Sequence, residues 1–363
     1  MTASIRQAAG SVLVVGLSGT ELTGLERAWL KLIQPSGIIL FRRNIADAMQ
    51  TRALLAEAAS YCNAANLRCV DIEGGMVDRL RDVVAPMPSA QDVAMTRNEK
   101  LMRQHGELIA REALAFGFNC TLAPVLDLAL PASATVMGTR TAGAEPDGVI
   151  GYTRAFLAGL ASRRIAGCAK HFPGLGGGTL DSHLETPSIQ RTYAELWLED
   201  LAPYRALKAE LPMVMVSHAA YPRTPGHERP ASVSPFWIST VLQKRIGYQG
   251  LIFSDDMEMG GILKFMPMEE AAIAAVRAGM HLMEICHSPE LILRAFEAQI
   301  REGERSAAFR KLLLERARTG KRLREKRFAG DMKRALAVTQ MAALRDEVLR
   351  FGATIGSFSE KRP

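Results

Sequence analysis

The chain has 363 residues, 48% hydrophobic and 23% charged, with a formal net charge of +7, a balance typical of a soluble globular protein with a large core. No run of about eighteen apolar residues is present, so no membrane-spanning helix is expected, and the short apolar run near the N-terminus resembles a strand more than a signal peptide. Five scattered cysteines without CxxC spacing argue against a disulfide framework or a zinc site. We therefore expect a cytoplasmic protein.

Eight short apolar runs follow one another along the chain, separated by longer amphipathic stretches. Their continuous hydrophobicity predicts strands buried on both faces, as in a parallel sheet. The runs lie at residues 11–17, 37–41, 67–71, 119–124, 165–170, 212–217, 250–254 and 280–286, with helical patterns at 21–33, 51–65 and 269–280. Eight strands alternating with helices predict an α/β fold, the (β/α)8 TIM-type barrel, with a doubly wound open sheet as the main alternative.

The barrel is expected to occupy residues 1–300 as a single domain, followed by a basic helical C-terminal extension at 301–363. Much of the excess positive charge lies in residues 310–327. The simplest interpretation of this segment is a solvated helix face, although positive charge can also steer an anionic substrate. No recognition motif or interleaved aromatic residues accompany the charge, so no nucleic-acid partner is expected.

Polar side chains follow seven of the eight predicted strands. In a (β/α)8 barrel the carboxyl ends of the strands meet at one rim, where active sites lie. The sequence therefore predicts a polar pocket rich in carboxylates, imidazoles and guanidinium groups. The residues that follow the strands are Arg42, Arg43, Asn44, Asp71, Glu73, Asp127, Lys170, His171, Ser217, His218, Asp255, Asp256 and His287.

The segment "GLIFSDDMEMGG", residues 250–261, places adjacent aspartates behind a buried strand. A rigidly held, partly desolvated carboxylate at a barrel mouth suits a nucleophile that forms a covalent glycosyl intermediate. Ser254, Asp255 or Asp256 can equally cap the next helix. No ligand spacing typical of a metal site supports metal binding.

A second segment, "KHFPGLGGGTLDSH" at residues 170–183, runs from Lys170 and His171 through four glycines to Asp181 and His183. An imidazole titrates near neutral pH and can both donate and accept a proton. A glycine-rich stretch would let such a histidine swing over a bound substrate, whereas the alternative is a surface loop whose histidine is incidental.

Together these motifs resemble glycoside hydrolase family 3, in particular its single-domain bacterial β-N-acetylglucosaminidases of cell-wall recycling. The likeness runs from about residue 10 to about residue 290, in the family's order. The motifs are "DIEGGMVDR" (71–79), "LAPVLDL" (122–128), "KHFPG…DSH" (170–183), "VMVSH" (214–218) and "GLIFSDDM" (250–257).

The resemblance implies roles for individual residues. It implies that His183 is the general acid/base, that Asp181 orients it, and that Asp255 is the nucleophile of a retaining mechanism. It further implies sugar-binding roles for Asp71, Arg79, Arg140, Lys170 and His171. For the two arginines a structural salt bridge is the alternative, and His218 is expected to pack beneath the site.

Several positions depart from the family pattern without replacing a residue assigned to bond cleavage. They indicate a possible difference in loop conformation, aglycone preference or activity level. These positions are Ile72, Met76, Leu175, Glu258 and His281.

The resulting hypothesis is a retaining exo-β-N-acetylglucosaminidase that removes terminal GlcNAc from peptidoglycan-derived muropeptides. One alternative is a family 3 β-glycosidase specific for glucosides or xylosides, and another is a catalytically silent sugar-binding barrel. We expect the protein to use no cofactor and no metal, and we expect it to be a monomer. The sequence disfavours a phosphate-binding metabolic barrel, because carboxylates follow the seventh strand.

Overall fold

The computed structural model describes residues 4–178, 187–227, 229–328 and 340–359. Eight parallel strands close into a barrel in the order β1-β10-β9-β8-β7-β6-β3-β2. The barrel strands are β1 (Leu13–Gly16), β2 (Gly37–Leu40), β3 (Leu67–Val70), β6 (Cys120–Thr121), β7 (Ala166–Phe172), β8 (Met213–Val216), β9 (Leu251–Asp256) and β10 (Leu282–Ile285). Each overlaps one predicted run, so the (β/α)8 barrel is confirmed and the open sheet is wrong.

The strands are largely apolar because both of their faces are buried, and the charged residues of β7 and β9 stand at the carboxyl ends of those strands. Val14 and Ile39 belong to a cluster that fills the barrel interior. Their neighbours Leu13 and Val15 belong to the larger core between strands and helices. This two-sided burial removes the alternating polarity of a half-exposed strand, as the sequence indicated.

Helices surround the barrel and begin at the polar caps that the sequence supplies. Thr23 and Glu26 form a capping box at the start of α2, and the Asp47 side chain accepts two backbone N–H bonds at the start of α3. The helices are α1 (Ile5–Gly10), α2 (Gly24–Ile33), α3 (Ala48–Ser60), α4 (Ala90–Met95), α5 (Glu99–Phe116), α6 (Ala134–Met137), α7 (Pro146–Ser162), α8 (Tyr193–Leu198), α9 (Ala202–Leu207), α10 (Gly260–Leu263), α11 (Met268–Ala278), α12 (Pro289–Arg305), α13 (Ala307–Phe328) and α14 (Met341–Ser359), with a π-helix at Phe236–Arg245.

A small hairpin, β4 (Ile72–Gly74) and β5 (Val77–Asp78), follows strand β3 directly. Gly74 has φ +83°, and a Cβ there would lie 2.2 Å from the Pro88 carbonyl oxygen, so only glycine fits. The Arg79 amide donates to the Asp71 carbonyl at 3.0 Å, which closes the hairpin. The hairpin thereby holds the Asp71 and Arg79 backbones side by side at the rim.

The C-terminal helices pack on the barrel from two directions. Helix α13 follows α12 and contacts strand β9, whereas α14 packs against α4 and α5. Arg111 of α5 forms an ion pair with Glu347 of α14. The predicted division at residue 300 falls inside helix α12 and stays a prediction. Over the described residues, no helix has both the length and the apolar character needed to cross a bilayer.

Candidate active site

The charged residues of the rim converge above the carboxyl ends of the strands. Lys170 and His171 lie near the end of β7, Asp255 is the last residue but one of β9, and Asp71 follows β3 directly. Lys170 is 3% exposed, so its ammonium group is held inside the protein rather than in solvent. A buried cation requires partners that replace its hydration.

Lys170 obtains those partners from two carboxylates. Its Nζ lies 2.9 Å from Oδ1 of Asp71 and 2.6 Å from Oε1 of Glu73. Burial alone would raise the pKa of each carboxyl group, but Lys170 and the arginines outweigh it: the pKa of Asp71 lies below its usual range, and that of Glu73 is lowered to about 2. Burial would likewise lower the pKa of Lys170, but Asp71 and Glu73 raise it above its usual value. All three groups are therefore charged at neutral pH.

Two arginines complete this network. Arg140 binds Glu73 through two nitrogens, Nε to Oε2 at 2.8 Å and Nη2 to Oε1 at 2.9 Å. Arg79 Nη2 lies 3.3 Å from Oδ2 of Asp71. Both arginines thus make the salt bridges that the sequence analysis named as the alternative to sugar binding, and both remain at the rim.

His171 is oriented by a buried carboxylate. Its Nδ1 lies 2.6 Å from Oδ2 of Asp127, which also accepts the His171 backbone N–H at 3.1 Å. With Nδ1 donating to Asp127, Nε2 is left as the acceptor that faces Arg140 Nη2 at 3.5 Å. Asp127 therefore fixes both the tautomer and the ring orientation of His171.

Asp255 differs from the other carboxylates of the rim. Its Oδ1 accepts the backbone N–H of Asp256 at 3.0 Å, and within the described chain it forms no ion pair. Beneath it, His218 is fully buried, with Nδ1 2.7 Å from Ser232 Oγ and Nε2 2.9 Å from the Asp256 carbonyl oxygen. The strand end therefore presents an uncompensated carboxylate on a rigid support.

Comparison with known proteins decides the family. The model of the glycosyl hydrolase family 3 N-terminal domain matches residues 9–315. The chain belongs to glycoside hydrolase family 3.

Relatives make the activity more specific. The family 3 chain is 35% identical over 294 residues to a beta-hexosaminidase of Stenotrophomonas maltophilia, covering 79% of this chain and 86% of that protein. It is 28% identical to NagZ of Neisseria gonorrhoeae, solved with N-trifluoroacetyl-D-glucosamine, with TM-score 0.77 and coverage of 96% and 98%. A family 3 β-N-acetylglucosaminidase of Paenibacillus superimposes with TM-score 0.84 at 28% identity, covering 96% of this chain and 69% of that one. The protein is thus an enzyme, a β-N-acetylhexosaminidase.

The glycine-rich segment of this hydrolase is anchored firmly where it leaves β7. The Leu175 N–H donates to Oδ1 of Asp127 at 2.7 Å, and Tyr221 Oη donates to the Gly174 carbonyl at 2.9 Å. A Cβ on Gly176 would lie 2.6 Å from the Leu128 carbonyl oxygen, so the backbone there passes too close for a side chain. Asp181 and His183 lie outside the described residues.

A second group of polar residues stands beside Asp255 in the hydrolase. Ligand atoms of Asp256, Glu258 and His287 lie within 4.8 Å of one another. Burial, together with the Glu258 and Asp255 carboxylates, raises the pKa of Asp256 to about 7. Arg43 Nη1 lies 3.0 Å from His287 Nδ1 and brings positive charge to this group. The three side chains have atoms that could bind a cation, and the Arg43 guanidinium already places a positive charge beside them. The expectation of a metal-free enzyme stays a prediction.

The departures from the family pattern fall at different depths. Ile72 and Leu175 are buried, and Met76 is 64% exposed on the hairpin. Glu258 Oε1 accepts the Ser288 N–H at 2.7 Å, and His281 is buried at the opposite end of the barrel, where its Nδ1 accepts the Ile252 N–H at 3.2 Å.

Sequence reasoning placed Glu73 and Asp127 at the rim without giving either a role. Their importance depends on partners that are distant in the chain, Lys170 and Arg140 for Glu73 and His171 for Asp127. The available signal was position alone, because each follows a predicted strand. Their geometry makes both residues part of the candidate site.

Proposed function

We propose that this hydrolase is a retaining exo-β-N-acetylglucosaminidase that removes terminal β-linked GlcNAc from peptidoglycan-derived muropeptides. Asp255 would be the nucleophile, and His183, oriented by Asp181, would be the general acid/base. The sugar would bind against Asp71, Arg79, Arg140, Lys170 and His171. A cytoplasmic location and a monomeric state accompany this proposal as predictions.

The observation that carries the proposal is the contrast between Asp255 and the two neighbouring carboxylates. Asp71 and Glu73 are each paired with a cation, whereas Asp255 has no ion pair within the described residues. A nucleophilic carboxylate needs an available lone pair, which a short ion pair would reduce. Support for the sugar comes from the relatives, which are named as hexosaminidases or N-acetylglucosaminidases.

In the first step, an Asp255 carboxylate oxygen attacks the anomeric carbon as the glycosidic C–O bond breaks. His183 donates its proton to the departing oxygen, so the aglycone leaves as a neutral alcohol. In the second step, His183 takes a proton from water, the water oxygen bonds to the anomeric carbon, and Asp255 is released. Two inversions give net retention of configuration.

The charged network serves this sequence by holding the sugar ring. Carboxylate oxygens of Asp71 accept hydrogen bonds from hydroxyls, and Lys170 and Arg140 donate them. Because these groups already hold one another at 2.6 to 2.9 Å, they need little rearrangement when substrate arrives. Such preorganisation favours a bound geometry close to that of attack.

The direct test compares hydrolysis of a chromogenic β-N-acetylglucosaminide with the matching β-glucoside near neutral pH. We expect release from the acetamido sugar and, by NMR, a β-configured first product. Release from the glucoside alone would replace the proposed sugar, and an α-configured first product would remove the retaining mechanism. A GlcNAc-terminated muropeptide should then be cleaved more efficiently than a chitin disaccharide, and equal efficiency would set aside the muropeptide assignment.

A further inference from the structure

A large pocket lies at the end of the barrel opposite the candidate active site. It has a volume of about 960 Å³ and is bordered by Met213, Leu251 and His281, which stand at the amino ends of β8, β9 and β10. The facing wall is helix α13, which passes below these strand ends. Catalytic groups of the barrel lie at the other end, so this pocket is separate from sugar cleavage.

The pocket is lined by positive charge. Among the described residues of the lining, Glu315 is the one carboxylate, and its Oε1 lies 3.4 Å from Arg316 Nη1. Five cationic side chains border the same space: Lys208, Arg316, Arg322, Lys326 and Arg327. Five cations around one concave space repel one another, and an anion placed among them would relieve that repulsion.

A further cation, Arg324, is buried near the pocket. Arg324 is 0% exposed, and its Nε, Nη1 and Nη2 have no hydrogen-bond partner within the described chain. Burial lowers its pKa to about 10, which still leaves the guanidinium charged at neutral pH. A buried charge without hydrogen-bond partners among the described residues adds to the positive potential on this side of the barrel.

The contacts of Gly320 show which way Arg324 is directed. A Cβ built on Gly320 would lie 3.4 Å from Arg324 Nη1 and 3.7 Å from the His281 carbonyl oxygen. The guanidinium therefore lies next to His281, which itself lines the pocket. The absence of a side chain at Gly320 leaves space between the helix and the barrel at this point.

His281 adds a neutral hydrogen-bond donor. Burial, together with Arg316, Arg322 and Arg324, lowers its pKa to about 3. Because Nδ1 accepts the Ile252 N–H at 3.2 Å, Nε2 carries the ring proton. The histidine therefore offers an N–H to an acceptor without adding a carboxylate to neutralise the arginines.

We propose that this basic pocket, lined by Lys208, His281, Arg316, Arg322, Lys326 and Arg327, binds a small phosphorylated metabolite through its phosphate groups. Guanidinium forks match phosphate oxygens in bidentate geometry, and several of them suit a multiply charged group. The concave shape favours a small anion over an extended polymer. Tyr248 is the one aromatic residue that lines the pocket in the described part of the chain, whereas proteins that bind single-stranded nucleic acids stack bases on several aromatic side chains.

Isothermal titration of the full-length protein with inorganic pyrophosphate, phosphate and a single-stranded oligonucleotide tests the proposal. We expect saturable binding of pyrophosphate with Kd below about 1 mM, weaker binding of phosphate, and a Tm that rises with pyrophosphate. Hydrolysis of the chromogenic β-N-acetylglucosaminide independently measures the activity of the candidate active site at the opposite end of the barrel. If the protein hydrolyses the chromogenic substrate but does not bind pyrophosphate, the phosphate-site inference is overturned and the proposed function is not.

Four variants locate the site. Arg316→Gln and Arg322→Gln should each weaken pyrophosphate binding about tenfold, because each loses a charge-assisted hydrogen bond. Arg318→Gln is the matched control: Arg318 is exposed on the same helix and does not line the pocket. Arg324→Met removes a buried charge behind the pocket rather than in its lining, so it should weaken pyrophosphate binding less than Arg316→Gln or Arg322→Gln.

Three results would overturn the proposal. The first is absence of saturable binding in the millimolar range. The second is an equal loss in Arg318→Gln and Arg322→Gln, which would mark diffuse attraction to a basic helix. The third is tighter binding of the oligonucleotide than of pyrophosphate, which would make the surface a nucleic-acid interface.

Discussion

At the scale of single residues, the candidate site divides into groups that are held by one another and a group that is not. Lys170 is compensated by Asp71 and Glu73, whose other oxygens bind Arg79 and Arg140. Asp255 takes no part in this network of ion pairs among the described residues, and its Oδ1 accepts the Asp256 backbone N–H. In the proposed mechanism the first set binds and orients the sugar, and Asp255 reacts with it.

Replacing Asp255 with asparagine should lower kcat on the β-N-acetylglucosaminide by at least about 10³-fold, because an amide cannot form the glycosyl intermediate. The Tm should change by only a few degrees, since the side chain is partly exposed and unpaired. Glu258→Gln, at the same rim, is the matched control and should retain most activity. Retention of wild-type kcat in the asparagine variant would remove the nucleophile assignment.

Replacing Lys170 with methionine should destabilise the protein by about 3–5 kcal/mol, since Asp71 and Glu73 would lose a buried cation. Urea unfolding at neutral pH measures the change. Lys311→Met on the exposed side of α13 is the control and should lie within about 0.5 kcal/mol of wild type. A similar small effect at Lys170 would mean that the two arginines suffice to compensate the carboxylates.

At the scale of elements, the hairpin β4–β5 connects the barrel to the site. It occupies only a few residues, yet it spans the chain from Asp71 to Arg79 and is bounded by the close approach of Gly74 to Pro88. A shift of this hairpin would move the Asp71–Arg79 pair relative to Lys170. Backbone geometry here therefore bears on sugar binding as well as on stability.

Gly74→Ala should destabilise the protein by about 1–3 kcal/mol or more, because alanine is strained at φ +83° and its Cβ would overlap the Pro88 carbonyl. It should also raise KM for the chromogenic substrate. Gly148→Ala is the control: Gly148 lies exposed in α7, a Cβ there meets nothing within 4 Å, and alanine should stabilise that helix by up to about 1 kcal/mol. Equal Tm values for the two variants would contradict the steric argument.

The sequence predicted the barrel strands, but neither the hairpin nor the partners of the buried charged residues. The eight strands were predictable because a strand such as Met213–Val216, buried on both faces, must be apolar at every position. The hairpin was not, because two- and three-residue strands carry no measurable periodicity. The partners of Glu73 and Asp127 depend on contacts between residues about 44 to 97 positions apart, which no local pattern encodes. The roles of Asp181 and His183 remain predictions.

At the scale of the whole molecule, the interior carries ionisable groups that make folding sensitive to pH. Glu112 of α5 is fully buried, and neither carboxylate oxygen has a hydrogen-bond partner in the described chain. Burial, with a smaller effect from Asp78, raises the pKa of Glu112 well above its ordinary value. Burial therefore favours the protonated form of this side chain in the folded protein.

The sign of the resulting pH dependence is fixed. Above the unfolded pKa of about 4.5 the unfolded chain releases the Glu112 proton while the folded chain keeps it, so stability falls with rising pH by up to about 1.4 kcal/mol per unit until the folded pKa is reached. Glu112→Gln removes this contribution. The variant's gain in unfolding free energy should be larger at pH 8 than at pH 5 in urea titrations. The exposed Glu297→Gln on α12 should show no such trend, and a parallel trend in both variants would refute the assignment.

The packing of helix α14 has a consequence for how the protein is made. Phe351 of α14 stacks on His105, with ring centroids 5.9 Å apart, and His105 Nε2 lies 3.0 Å from the position of a Cβ on Gly74. The ribosome delivers the chain from its N-terminus, so Gly74 leaves the exit tunnel long before α14 has been synthesised. Until α14 has been synthesised, the His105 ring that lies against Gly74 therefore lacks its contact with Phe351. The last helix of the described chain thus completes the packing behind a hairpin encoded more than 250 residues earlier.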